Sequence, residues 1–213
     1  MIELHHCADA RSFRALWTLE EMGLPYRLHL LPFPPRLRAP EYLKVNPLGT
    51  IPYLEDGETR MSESAAIIQY LCTRHGPSPL AVGAGEADYG AWLNWLHFGE
   101  ATLTFPQTLV LRYRRLEPPE RRLTQAADDY AQWFRSRLRH VHRALGGGAE
   151  HLCAGRFTGA DISVGYALLL ARTLGLDEGW SPTIQAYWTR LSARPAFVAA
   201  KAAQGSQTSV PSA

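Results

Sequence analysis

Asn46-Pro47-Leu48-Gly49-Thr50-Ile51-Pro52-Tyr53-Leu54, followed by Ser62-Glu63-Ser64-Ala65-Ala66-Ile67, is the stretch that decides how this chain reads. The first part is a turn feeding a short apolar strand that Pro52 interrupts. A proline there removes a ladder donor, so the segment becomes an edge, a bulge or a special turn. A cis Ile51–Pro52 bond is one way to present the Ile51 backbone to a ligand. The second part starts a helix: Ser62 is a good N-cap, Glu63 favours the first turn, and an apolar face follows. Free N–H groups at such a start attract an anion. A strand edge beside a carboxylate pocket suits a small acidic peptide better than a nucleotide.

Outward from this stretch, residues 1–75 mix strand and helix signals. Residues 1–5 form a short β candidate. Residues 11–22 carry Phe13, Leu16, Trp17 and Leu19 at helical spacing and stop at Gly23 before Pro25. Residues 26–31 read as a second strand, 32–40 as a proline-rich loop and 41–45 as a helical turn. Residues 51–54 and 59–61 flank Asp56-Gly57, a hairpin signal, and 63–73 form an amphipathic helix. The order is β-α-β-α-β-β-α.

Residues 76–85 are a Pro/Gly-rich linker, and no strand signal follows it. Helices are predicted near 86–113, 118–145, 159–174, 181–192 and 195–203, with a flexible tail over 205–213. Thr158-Gly159-Ala160-Asp161 fits a capping box, and Phe157 with Ile162 a hydrophobic staple.

With 213 residues, 46% hydrophobic and 20% charged, the chain has ordinary globular composition. Its net charge of +2 gives no global argument for nucleic acid. Only Lys44 and Lys201 are lysines among 22 basic residues. The arginines Arg112, Arg114, Arg115, Arg121, Arg122, Arg135, Arg137, Arg139 and Arg143 alternate with Glu117, Glu120, Asp128 and Asp129. They read as a solvated, ion-paired helical face rather than an RNA surface. Cys7, Cys72 and Cys153 are widely spaced, so no zinc knuckle or dithiol site is signalled. No apolar run of about 18 residues exists to span a membrane. The opening Met-Ile-Glu-Leu-His-His has no signal-peptide pattern, and a cytoplasmic protein is expected.

In this order and spacing, the 46–54 turn, Glu63-Ser64-Ala65-Ala66-Ile67, Arg11-Ser12-Phe13-Arg14, Leu19-Glu20-Glu21-Met22-Gly23-Leu24-Pro25-Tyr26 and the capping box resemble the glutathione transferase superfamily. The resemblance covers nearly the whole chain. It implies α/β plus all-α architecture: a thioredoxin-like domain (βαβαββα, 1–75) followed by an all-helical domain (86–204). It also implies glutathione as co-substrate, no metal, a small hydrophobic electrophile as second substrate, a detoxifying role and a homodimer. By the same mapping Pro52 is cis and the Ile51 backbone pairs with the cysteinyl part of glutathione. Glu63 and Ser64 hold the γ-glutamyl end, and Arg38 and Thr50 complete the binding set, with Arg38 at the glycyl carboxylate. Read alone, Glu63 is a first-turn dipole partner and Arg38 a solvated loop arginine.

Chemistry in such enzymes is activation of a thiol whose free pKa is about 8.5, by a hydroxyl donor, a positive charge or a helix N-terminus. Many bacterial relatives carry a serine just before Arg-Ser-x-Arg; this chain has Ala10. The candidates left are Ser12 (or a capping hydroxyl), Arg11 (or a solvent-facing arginine) and Cys7, which could form a mixed disulfide as in cysteine-type relatives. His5 and His6 also adjoin the strand end, but neighbours on a strand face opposite ways and make poor co-ligands. The preferred mechanism combines the dipole of the 11–22 helix with Ser12 or Arg11. The second substrate is expected between the domains, against an apolar wall of Phe98, Thr102 and Phe105. Trp92 and Trp95 on the same helix read mainly as core. Two other readings stand beside the enzyme: a non-catalytic binding protein of the same fold, and a Cys7-dependent glutathione-linked reductase.

Overall fold

The computed structural model describes residues 1–205. The chain divides into one unit of Met1–Ser78 joined by the segment from Ser192, and a second of Pro79–Leu191. The division falls inside the 76–85 stretch.

The first unit is built on four strands: β1 (Ile2–His6), β2 (Tyr26–Leu30), β3 (Tyr53–Asp56) and β4 (Thr59–Met61), in the order β2-β1-β3-β4. β1 and β2 run parallel, with Ile2 opposite Tyr26 and His6 opposite Leu30. A parallel pair needs a crossover, and α1 (Phe13–Met22) supplies it. The helix stops where Gly23 adopts φ +61°, its N–H turned back to Glu20 and Leu19; that left-handed turn suits glycine. β3 runs antiparallel to β1, with Leu4 opposite Leu54 and His5 opposite Tyr53. Tyr53 is the last paired position, because Pro52 has no N–H to extend the ladder. The strand therefore occupies 53–56, not 51–54.

α2 (Pro35–Arg38) and a 3-10 turn (Pro40–Lys44) fill the β2–β3 connection. The 32–40 loop expected from sequence thus contains a helical turn, entered through Pro35, whose fixed φ suits a first helical position. α3 (Ser64–Arg74) follows the hairpin. Its N-cap is Glu63, not Ser62, and the Glu63 side chain makes no capping bond.

α1 buries Phe13–Leu19 without a break. Its second apolar surface meets α9 (Pro195–Gly205), whose Phe197 ring lies edge-on to Phe13 at 5.2 Å and to Trp17 at 5.0 Å. Arg194 closes the contact with a bidentate pair to Glu21 at 2.6 and 2.8 Å. α9 therefore groups with the first unit, whereas the sequence assigned 86–204 to one helical domain. The tail expected over 205–213 lies, beyond Gly205, outside the described residues.

The second unit has helices and connecting loops but no strand among its described residues. It contains α4 (Tyr89–His97), α5 (Phe105–Leu111), α6 (Thr124–Ala144), α7 (Gly159–Thr173) and α8 (Pro182–Ser192). α7 is its centre, buried from Gly159 through Ala171, as a helix apolar on all sides must be. The expected 86–113 helix is interrupted by π-helical turns at Phe98–Thr104 and Arg112–Leu116. Gly99 lies against α7, where an added Cβ would fall 2.4 Å from Ser163 Oγ. Ser163 in turn donates to Leu96 O at 2.6 Å. The 118–145 helix starts only at Thr124, after Pro118 and Pro119. Among the described residues no helix is long and apolar enough to cross a membrane.

Candidate functional site

The 46–52 turn is pinned from inside. Asn46 is buried; its N–H donates to Tyr42 O at 2.9 Å and its Oδ1 accepts from Leu48 N–H at 3.1 Å. Asn46 Nδ2 (2.9 Å) and Tyr42 OH (2.8 Å) both donate to Thr50 O. Gly49 sits at φ +61°, and a Cβ there would lie 2.9 Å from Arg36 Cβ and Leu43 Cδ2. Only glycine fits that approach, which sets α2 beside the turn. The Ile51–Pro52 peptide is cis. Because the β1–β3 ladder ends at His5 opposite Tyr53, the main chain of Ile51 continues past it, placed to pair with an extended peptide.

The same end of the sheet carries the loop after β1, since β3 enters where β1 leaves. From that loop α1 begins, and Arg14 in its first turn has no exposed surface. The Arg14 guanidinium donates from Nη1 to Ser64 Oγ at 3.1 Å, tying the start of α1 to the start of α3. Ser64 is 3% exposed, while Glu63 is exposed. The first main-chain bond back into α3 runs from Ile67 N–H to Glu63 O. The earlier N–H groups and the positive end of the helix dipole are left to an anion. Sequence reading missed Arg14 as a site residue. Its signal was a cation in a run that must be apolar if both faces of α1 are covered, because a fully buried arginine requires partners.

The loop between β1 and α1 changes the list of thiol-activating candidates. Ser12 is buried; its hydroxyl accepts from Cys7 N–H at 3.3 Å and donates to Cys7 O at 3.4 Å. Its one proton is committed to the main chain, and it makes no side-chain cap on α1. Cys7 has no exposed surface and donates to Pro32 O at 3.7 Å. Burial pushes its thiol up to about 12, whereas a reactive cysteine is exposed with a lowered pKa. Both placements count against the catalytic roles considered from sequence. Replacing Cys7 with alanine is expected to leave any glutathione-dependent turnover within about twofold, checked by steady-state assay. Arg11 is half-buried at the mouth of α1, and Ala10 precedes it.

His5 and His6 face apart. His5 Nε2 pairs with Glu55 Oε1 at 3.1 Å and its ring stacks on His29 at 4.5 Å. His6 is fully buried, bonded through Nε2 to Gln204 Oε1 at 3.0 Å, and burial lowers its pKa to about 4. A histidine whose folded pKa lies below its unfolded value of about 6.5 stabilises above that value and loses the contribution as pH falls toward 4. Denaturant unfolding at pH 7 and pH 5 is expected to differ by about 2 kcal/mol from this group, and His6→Gln to remove that part. Among the described residues no group of three metal-ligating side chains forms a metal site.

Arg38 is exposed at the end of α2, and Thr50 is exposed on the turn that α2 borders. In the second unit, Trp92 and Trp95 are core, 1% and 5% exposed. Phe98 is half-buried, edge-on to Trp95 at 5.1 Å and tilted against His140 at 5.3 Å. Thr102 is half-buried and Phe105 is 54% exposed. The arginine run is largely spent locally: Arg112 and Arg121 on Glu117, Arg114 on Asp128, and Arg115 on Thr173 O.

Residues 10–74 match the family model described as glutathione S-transferase, N-terminal domain. Glutathione S-transferase 3 of Schizosaccharomyces pombe is 37% identical over 103 residues, 48% of this chain and 43% of that protein. Glutathione S-transferase 4 of Zea mays is 31% identical over 192 residues, 86% of this chain and 83% of that protein. The chain belongs to the glutathione S-transferase superfamily. A sphingomonad glutathione S-transferase solved with glutathione superposes with a TM-score of 0.82 at 25% identity, covering 95% of this chain and 98% of that one. The glutathione S-transferase architecture expected from sequence, a thioredoxin-like domain followed by a helical one, is therefore established.

Proposed function

We propose that this chain is a glutathione transferase that binds glutathione on its first unit and activates the thiol for attack on small hydrophobic electrophiles. The observation that carries the reading is the Arg14–Ser64 bond. It joins the two helix starts at the sheet end where the Ile51 main chain passes beyond its ladder. Glutathione would pair its cysteinyl backbone with Ile51 at the cis Pro52 turn. Its γ-glutamyl carboxylate would take Ser64 and the N–H groups of α3, with Glu63 on the ammonium. Arg38, with Thr50 beside it, would meet the glycyl carboxylate.

The thiol then faces the loop that contains Ala10. With Ser12 committed to Cys7, activation falls to the N-terminal dipole of α1 and the Arg11 charge. Such contacts contribute about 1 kcal/mol each, so a fall of roughly 1.5 pKa units is expected from the two together. Titration of the ultraviolet thiolate band of bound glutathione measures it. A bound thiol that keeps its free value would remove the activation half of the reading. Phe98, Thr102 and Phe105 are the proposed apolar wall for the electrophile. A homodimer in the cytoplasm completes the reading, and analytical ultracentrifugation tests the dimer.

Ala10, which has no hydrogen bond to offer a thiolate, favours a second reading: a transferase-fold protein that binds glutathione without turnover. Binding with an unshifted thiol and no conjugation would select it.

A further inference from the structure

Two side chains of α9 grip the loop on which thiol activation would depend. Gln204 Oε1 accepts from Asp9 N–H at 3.2 Å and bonds His6 Nε2 at 3.0 Å, while Gln204 Nε2 donates to Asp9 Oδ1 at 2.6 Å. Lys201 Nζ donates to the same Asp9 Oδ1, also at 2.6 Å. Gln204 is 5% exposed although it stands in the last turn of its helix. The helix expected from sequence ended at 203, one residue short of it.

What the grip holds is an unfavourable backbone. Asp9 adopts φ +52°, a left-handed conformation that aspartate tolerates better than most residues with a Cβ but that is still held by its surroundings. Ala10 follows directly, its N–H on Cys7 O at 3.1 Å and its carbonyl accepting from Phe13 N–H at 2.8 Å. The conformation of Asp9 therefore fixes where Ala10, Arg11 and the first turn of α1 point. Charge acts in the same place. A carboxylate one residue from Ala10 disfavours a thiolate nearby, and the Lys201 ammonium offsets it.

We propose that Gln204 and Lys201 are positioning residues for thiol activation: through Asp9 they lock the Ala10–Arg11 loop, and Lys201 offsets the charge that Asp9 brings to that loop. The inference rests on the glutathione transferase reading. Neither residue touches the binding elements at Ile51 or Glu63–Ser64, so the effect is expected in turnover rather than in binding.

The experiment compares wild type with Gln204→Ala, Lys201→Met, Lys201→Arg and the double variant Asp9→Asn/Lys201→Met. Glutathione binding is read by calorimetry, the bound thiol by its ultraviolet titration, and turnover with 1-chloro-2,4-dinitrobenzene. Gln204→Ala and Lys201→Met are expected to lower kcat about fivefold and raise the bound-thiol pKa, with KM for glutathione within about twofold. Lys201→Arg and the double variant are expected to recover most of the loss. Amide exchange over residues 8–11 is expected to quicken in Gln204→Ala. Unchanged kcat and thiol pKa in both single variants, in a wild type that binds glutathione and turns over, overturn the inference alone. A wild type that binds no glutathione, or binds it without turnover, removes the transferase reading and this inference with it. Lys201 is partly exposed, so its arm remains readable even if Gln204→Ala misfolds.

Discussion

An Arg14→Met variant is expected to lose at least about tenfold in glutathione affinity and roughly 2–3 kcal/mol in stability. Arg14 is the largest polar side chain in the first unit with no exposed surface. Its guanidinium donates to Ser64 Oγ at 3.1 Å. Each buried acceptor left without a donor costs about 1–3 kcal/mol. Relief from desolvating a buried cation offsets part of that, because an apolar side chain of similar length fills the space. Stability therefore falls by less than a count of lost bonds would give. Affinity has no such offset: Ser64 loses the contact that orients its hydroxyl, at the helix start where the γ-glutamyl carboxylate would sit. Arg14→Lys keeps a charge but not the planar fork, and is expected to fall between. Denaturant unfolding and calorimetry measure the two losses. Unchanged affinity in Arg14→Met would remove Arg14 from the site.

Asp161→Ala is expected to cost more, and only in stability. Asp161 is fully buried at the start of α7. Its Oδ2 accepts from Thr158 N–H at 2.9 Å, and its Oδ1 from Leu152 N–H at 3.1 Å and Tyr187 OH at 2.7 Å. Burial raises its pKa against the pull of these donors. Alanine orphans three buried donors at once and opens the capping box, for a loss of roughly 3–6 kcal/mol. At about 2–4 °C per kcal/mol for a chain of this size, the melting transition is expected to fall by on the order of 10–20 °C. Asp161→Asn, which keeps the shape but turns an NH2 toward donors, is expected to lose at least half as much. A melting shift within about 2 °C for Asp161→Ala would show that the box contributes little.

The elements that read directly from sequence are those with local causes. The 46–54 turn, the α1 stop at Gly23 and the Thr158–Asp161 capping box each need a particular residue at a particular backbone position, and all three are in place. The backbone of the proposed binding site was legible for the same reason, since Ile51-Pro52 and Glu63-Ser64 mark a ladder end and a helix start. What was not legible depends on partners far away in the chain. Arg14 shows no role until α3 brings Ser64 to its guanidinium from 50 residues away. Gln204 lies just past the expected end of the last helix and shows no role until Asp9 and His6 bond it across 195 and 198 residues. Ser12 looks like an available hydroxyl until it is found bonded to both the N–H and the carbonyl of Cys7. The π-helical turn at Phe98–Thr104 lies where Gly99 packs on Ser163 of α7, a contact that helical spacing within 86–113 does not encode.

The central claim is that the first unit holds glutathione through Ile51 and the start of α3. Isothermal calorimetry of the full chain with reduced glutathione, beside Ser64→Ala, tests it most directly. The expected result is saturable binding of one glutathione per chain with Kd between about 10 μM and 2 mM, weakened at least about tenfold by Ser64→Ala. No heat from wild type at roughly 10 mM glutathione, or equal affinity in the two proteins, would contradict it.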